Sequence, residues 1–139
     1  MRQLNIGIIG TGWCGGIRAE TCAAHPRVNH LHIAETRPER LAEVAKATGA
    51  VTATADYREL LGIDEIDAFY ISATPETLHY AMTRECLLAG KHVFLEKPIA
   101  VELHEADDLI EIAGKNRLKF TIGYSQRFNP KFAYVRKSI

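Results

Sequence analysis

Residues 4–15 read Leu4-Asn5-Ile6-Gly7-Ile8-Ile9-Gly10-Thr11-Gly12-Trp13-Cys14-Gly15, and this stretch decides the fold. An isoleucine-rich apolar run, typical of a strand buried on both faces of a parallel sheet, leads into G-x-G-x-x-G. A helical segment, roughly residues 16–24, follows. In that setting Gly10 permits the tight turn, Gly12 lets backbone approach a pyrophosphate, and Gly15 lets the helix pack closely on the strand. The helix start adds free amides and a partial positive charge. Gly10, Thr11, Gly12, Trp13, Cys14 and Gly15 together are the expected dinucleotide-binding turn. The plainer alternative is a glycine-rich turn that holds no ligand.

Outward from the turn, the chain alternates between apolar runs and helical-period stretches. Further runs occupy residues 31–34, 68–71, 92–95 and 119–122. Between them, Leu41, Val44, Ala45 and Thr48 form an i, i+3, i+4, i+7 stripe that stops at Gly49. Leu78, Ala81, Met82, Cys86 and Ala89 form another that stops at Gly90, and Ala106, Leu109, Ile110 and Ala113 a third, closed by Gly114. Thr36 and Glu39 are spaced as a capping box, and Thr74-Pro75 as an N-cap followed by a first-turn proline. Alternation with such short connections predicts an α/β Rossmann fold: a doubly wound parallel sheet with helices on both faces.

Glu35 stands at the end of the second run, twenty residues after Gly15. A carboxylate there accepts hydrogen bonds from an adenosine ribose and repels a 2′-phosphate, which favours NAD over NADP. Arg37 could instead pair with such a phosphate or lie over the adenine, so NADP stays possible. A solvated strand-end carboxylate is the simpler reading of Glu35. Lys97 falls two residues past the run 92–95, at the carboxyl edge where doubly wound sheets bind ligands. It could donate to a substrate hydroxyl oxygen or take part in proton transfer, but without a family to compare, a surface lysine is the plainer reading.

Composition narrows the function classes. Apolar residues make up 47% and charged residues 24% of 139 residues, which excludes a disordered chain. Seventeen basic and seventeen acidic side chains leave a net charge of zero, so nothing global points to nucleic acid or an anionic membrane. No apolar stretch approaches the roughly 20 residues needed to span a bilayer. Three well-separated cysteines, Cys14, Cys22 and Cys86, with no C-x-x-C pair, suit a reducing, cytoplasmic setting. His30 and His32 share a strand face, but no third ligand stands at a plausible spacing, so no metal is expected.

Four segments carry a resemblance: G-T-G-W-C-G, D-A-F-Y-I-S-A-T-P-E-T-L-H, G-K-H-V-F-L-E-K-P and G-Y-S-Q-R-F-N-P. In order and spacing the chain resembles the glucose-fructose oxidoreductase, inositol dehydrogenase and MocA group (Gfo/Idh/MocA). The resemblance implies an NAD(P)-dependent oxidoreductase that moves hydride between nicotinamide and a secondary hydroxyl of a sugar, sugar derivative or cyclitol. It places Ser72, Ala73, Thr74 and Pro75 in a loop passing the cofactor, with His79 in the helix that loop opens. Glu96 and Lys97 match the active-site pair, and Gln126 and Arg127 a segment reaching cofactor or substrate near a domain junction. On this reading residues 1–125 are the dinucleotide-binding domain. Residues 126–139 begin the crossover into a second, substrate-binding α/β domain carrying the acid/base histidine, in a homo-oligomeric full-length protein. The present chain would then be a fragment, inactive alone.

Two rival classes remain. A non-catalytic dinucleotide-binding or sensory domain would have no need of Glu96-Lys97-Pro98. An S-adenosylmethionine methyltransferase would need neither that segment nor the third glycine.

Overall fold

The computed structural model describes residues 2–138. Six strands, β1 (Leu4–Ile9), β2 (Val28–Ala34), β3 (Thr52–Thr54), β4 (Ala68–Ile71), β5 (His92–Leu95) and β6 (Phe120–Ile122), form one sheet. Their order is β3-β2-β1-β4-β5-β6, and every pairing is parallel. This is the expected doubly wound sheet. The order reverses direction at β1, between β2 and β4, so a crevice opens there at the carboxyl edge.

Helices cover both faces. On one, α1 (Trp13–Ala23) and α2 (Pro38–Thr48) pack over Ile8, Leu31, Ile33 and Tyr70. On the other, α3 (Tyr57–Leu61), α4 (His79–Leu88) and α5 (Leu103–Lys115) bury Ile9, Phe69, Ile71, Val93 and Leu95. Strand residues alternate between the two cores, and both faces are covered, which is why the central strands are rich in Ile, Leu, Val and Phe on both faces. A last helix, α6 (Pro130–Ser138), follows a short 3-10 turn at Ser125–Phe128 and leaves Phe132, Tyr134 and Val135 exposed. Among the described residues no helix is long and apolar enough to cross a membrane.

Several local expectations are corrected. Helix α1 starts at Trp13, three residues ahead of its expected beginning, because the helical turn includes Gly15 and Gly16. Arg37, not Thr36, is the N-cap of α2, with Pro38 in the first turn and no side-chain cap. The Thr36–Glu39 capping box therefore does not form. A reciprocal cap closes α5 instead, where the Glu105 carboxylate accepts from the Glu102 amide at 3.3 Å. Thr74 caps nothing: Pro75 precedes a 3-10 turn, Glu76–Leu78, that runs into α4. Gly114 lies inside α5, which continues to Lys115, whereas Gly49 and Gly90 end their helices with positive φ. Strand β2 begins at Val28, ahead of residue 31. Strand β3 and helix α3 are additions: three residues and five residues leave too short a period to register.

Candidate functional site

The glycine turn is shaped by collisions it avoids. Gly10 has φ +81°, and a Cβ there would sit 2.8 Å from the Ser72 carbonyl and 2.9 Å from the Ala73 amide. A Cβ on Gly15 would run into the Gly10 carbonyl oxygen. These two glycines let strand, turn and helix close on one another. Gly12 differs, for nothing in the protein lies within 4 Å of a Cβ placed on it. It is the N-cap of α1, makes no side-chain cap, and has no acidic residue in the turn behind it. The first amides and the positive end of α1 thus face open space.

That space is a cleft of about 560 Å³ at the carboxyl edge of the sheet. Gly10, Gly12, Trp13 and Cys14 wall one side; Glu35, Thr36 and Arg37 follow from the end of β2; Ser72, Ala73 and Thr74 come from the end of β4. Trp13 is 84% exposed, standing out from the turn. Tyr57, Leu78 and Met82 complete the wall from the α3–α4 side.

Two predicted contact residues are turned to other partners. Thr11 is fully buried, and its amide and hydroxyl donate to Glu35 Oε2 at 2.8 and 2.9 Å. Glu35 is itself only 6% exposed. The Arg37 amide and Nε donate to its Oε1 at 3.1 and 3.0 Å, and Arg37 Nη2 to its Oε2 at 3.2 Å. Burial pushes this carboxyl up, but the donors from Arg37 and Thr11 outweigh it and hold its pKa at about 2. Glu35 therefore ties the glycine turn to the end of β2, and the exposed Arg37 guanidinium covers it on the cleft side. Arg40 on α2 adds a second tie, its Nε donating to the Thr11 carbonyl at 2.8 Å.

Further along the same edge, Glu96 is half-buried and Lys97 exposed, immediately after β5. The Tyr70 hydroxyl donates to Glu96 Oε1 in a short hydrogen bond and accepts from Arg18 Nε at 3.2 Å. Burial and the bond to Glu96 push the Tyr70 hydroxyl above its usual range, so it stays a donor. The Tyr70 ring stacks on Phe94 with centroids 4.8 Å apart. Glu96 also faces Gly123, where a Cβ would come within 3.0 Å of its carboxylate. Arg18, Tyr70 and Glu96 thus link α1, β4 and the residue that follows β5, next to Lys97 in the chain.

His79 is 2% exposed and lies beneath the cleft wall. Its Nδ1 faces the Pro98 carbonyl at 2.8 Å and its Nε2 the Ala73 carbonyl at 3.0 Å. It joins the Ser72–Thr74 loop to the loop carrying Lys97 and so positions both. Gln126 and Arg127 are not gathered into this cleft. They sit in the exposed 3-10 turn beside α6 and line a separate depression with Phe132 and Val135.

Sequence reasoning missed Arg18, Tyr70 and Arg40. Arg40 lies twenty-nine residues from the Thr11 carbonyl it meets, and Tyr70 sits in a run whose apolar pattern hides its hydroxyl. The only available signal was a polar tip in an otherwise apolar strand.

Comparison with known proteins adds the following. Residues 4–124 match the Gfo/Idh/MocA model, described as "Oxidoreductase family, NAD-binding Rossmann fold". Myo-inositol 2-dehydrogenase of Thermotoga maritima is 30% identical over 136 residues, 98% of this chain and 40% of that protein. UDP-N-acetylglucosamine 3-dehydrogenase of Acidithiobacillus ferrooxidans is 33% identical over 138 residues, 99% of this chain and 42% of that protein. The crystal structure of scyllo-inositol dehydrogenase from Lactobacillus casei with bound NAD(H) and scyllo-inositol superposes with a TM-score of 0.89 at 28% identity. It is matched over 98% of this chain and 40% of its own. The chain spans about two fifths of the length of the curated relatives it matches.

Proposed function

Since the chain belongs to the Gfo/Idh/MocA oxidoreductase family, with its NAD-binding Rossmann fold, we propose that it is the cofactor-binding part of an NAD(P)-dependent dehydrogenase. The reaction proposed is oxidation of a secondary hydroxyl on a sugar, sugar derivative or cyclitol. Inositol and amino-sugar nucleotide dehydrogenases among the relatives support that substrate class.

One observation carries the cofactor reading: the uncapped, uncompensated start of α1 opens over Gly12, where no protein atom fills the cradle. A dinucleotide pyrophosphate fits that space and that sign of charge. Gly10 to Gly15, with Trp13 and Cys14, would hold it. Glu35 would take the ribose once Arg37 turns away, and Ser72, Ala73, Thr74 and Pro75 would flank it from β4. When bound, the nicotinamide supplies the hydride donor or acceptor.

The chain's own residues supply position and charge. Lys97, exposed at the carboxyl edge, would donate to the reacting oxygen and stabilise negative charge developing there. Glu96 would fix the backbone beside it, held by Tyr70 and by its packing on Gly123. His79 would keep the two loops at a constant separation. Residues 1–125 form the dinucleotide unit on this reading, and residues 126–139 begin the crossover into a substrate domain. Exposed Phe128, Phe132 and Tyr134 on that segment are the kind of surface a second unit covers. Free thiols at Cys14, Cys22 and Cys86 support a cytoplasmic setting.

Gly12→Ala tests the cofactor reading. Gly12 has φ −55° and open space around it, so the variant should fold with a melting temperature like the parent's. Its NAD(H) affinity, read by calorimetric titration, should fall at least about tenfold, a loss of about 1.4 kcal/mol. Unchanged affinity sinks the proposed cradle.

A further inference from the structure

At the opposite edge of the sheet, where the strands begin, two histidines and a carboxylate meet. His30 and His32 share one face of β2, and Glu65 stands in the loop between α3 and β4. Glu65 Oε1 lies 3.7 Å from His30 Nδ1 and 3.8 Å from His32 Nε2. All three ligand atoms lie within 4.8 Å of one another. The third ligand is thus thirty-three residues from His32 in sequence, which is why spacing alone hides it.

From this arrangement we propose that His30, His32 and Glu65 bind a divalent first-row transition ion, Zn²⁺ in the simplest case. The ion would tie β2 to the loop that leads into β4.

The nitrogens that face the carboxylate are otherwise unexplained. His30 Nδ1 and His32 Nε2 are both buried without a hydrogen-bond partner. His32 is 1% exposed. Buried polar atoms are nearly always paired, and two orphan nitrogens converging on one carboxylate form the donor set of a cation site. The outer contacts agree. His32 Nδ1 lies 3.1 Å from Thr52 Oγ1 on β3, and donation there leaves the Nε2 lone pair for a metal.

The scaffold around the cluster is also fixed. Asn5 Oδ1 accepts from the His30 amide at 3.2 Å, and Asn5 Nδ2 donates to the Glu65 carbonyl at 3.1 Å. One side chain therefore holds the two halves of the cluster together. Two imidazoles and one carboxylate suit Zn²⁺ and its neighbours, whereas Mg²⁺ and Ca²⁺ prefer oxygen alone. Bonds of about 2.0–2.2 Å in a tetrahedral site put ligand atoms roughly 3.3–3.5 Å apart. Rotation of His30 and Glu65, whose side chains are 41% and 53% exposed, covers the difference, with water in the fourth position.

Equilibrium dialysis of the untagged chain against Zn²⁺ tests the assignment, in a Cys14→Ser/Cys22→Ser background that removes the accessible thiols. One equivalent should bind, with Mg²⁺ unable to compete. Glu65→Gln and His30→Asn should each weaken binding at least about tenfold. Both lie at half-exposed positions, so both should keep the metal-free melting temperature of the parent. Zn²⁺ should raise that temperature in the parent and not in the variants, as ligand linkage requires. Binding well below one equivalent, or an affinity unmoved by Glu65→Gln and His30→Asn, overturns the proposal and leaves the cluster a packing contact between two imidazoles and a carboxylate.

Discussion

Replacing Glu35 by Gln removes a charge on which the glycine turn depends while keeping the side chain's shape. Five donors converge on the carboxylate, from Thr11 and Arg37. Together, against the opposing cost of burial, they lower its pKa from 4.5 to about 2. That change corresponds to about 3 kcal/mol favouring the charged form in the folded state. Part of it comes from Arg37, whose side chain is 61% exposed and screened by water, so the share that survives is smaller. The amide also brings an NH₂ group towards donors that cannot accept from it. We expect Glu35→Gln to cost about 2 kcal/mol at pH 7, a fall in melting temperature of roughly 5–10 °C for a domain of this size. The pH dependence carries the sign. A carboxyl with a depressed folded pKa stabilises above its unfolded value, here 4.5, and loses that contribution as pH falls towards about 2. Parent and variant should therefore converge in thermal and urea unfolding between about pH 5 and pH 2. Equal stability at pH 7, or a gap that stays constant down to pH 3, would refute the role given to Glu35.

Glu35→Ser, which also leaves Arg37 free to pair with a 2′-phosphate, should shift the ratio of NAD to NADP affinity towards NADP(H) by about 10–100-fold, roughly 1.4–2.8 kcal/mol; parallel titrations with both cofactors measure it. Gly10→Ala should destabilise by about 2 kcal/mol or more, since a positive φ and the Ser72 carbonyl both oppose a side chain, and denaturant unfolding will show whether it does. His79→Ala should cost about 2–4 kcal/mol by removing a buried ring and its contacts to Ala73 and Pro98; parent-like stability would show that those contacts contribute little. Lys97→Ala, made in a protein that carries the substrate domain, should lower kcat by roughly 10²–10³-fold with an unchanged melting temperature, and normal turnover would end its assignment to the reacting oxygen.

The order of strands and helices was legible in the sequence because each element announces itself locally. Apolar runs of four to six residues marked the strands buried on both faces, and the 3.6-residue stripes of α2, α4 and α5 marked helices. Glycines placed at tight approaches marked the cradle. Those features depend on residues a few positions apart, and so does the motif order that linked the chain to its family. Short elements escaped for the same reason: β3 and α3 hold too few residues to show a period, and their stability comes from neighbours. The ends of α2 and α4 were misjudged because the chain path, set by packing, decided whether Thr36 and Thr74 could reach a free amide.

Side-chain partnership was decided only by the tertiary structure. Nothing near Glu35 in sequence predicts that Thr11 turns inward to meet it. Arg18, Tyr70 and Glu96 come from three elements, and His79 joins loops that follow two different strands. Glu65 reaches His30 and His32 because β4 lies beside β1 and β1 beside β2. In a parallel sheet, strands far apart in sequence become neighbours through crossovers, and contacts between their ends follow from strand order rather than from spacing. The fold was written in local chemistry; which polar groups meet at its two edges was settled by how the crossovers bring those edges together.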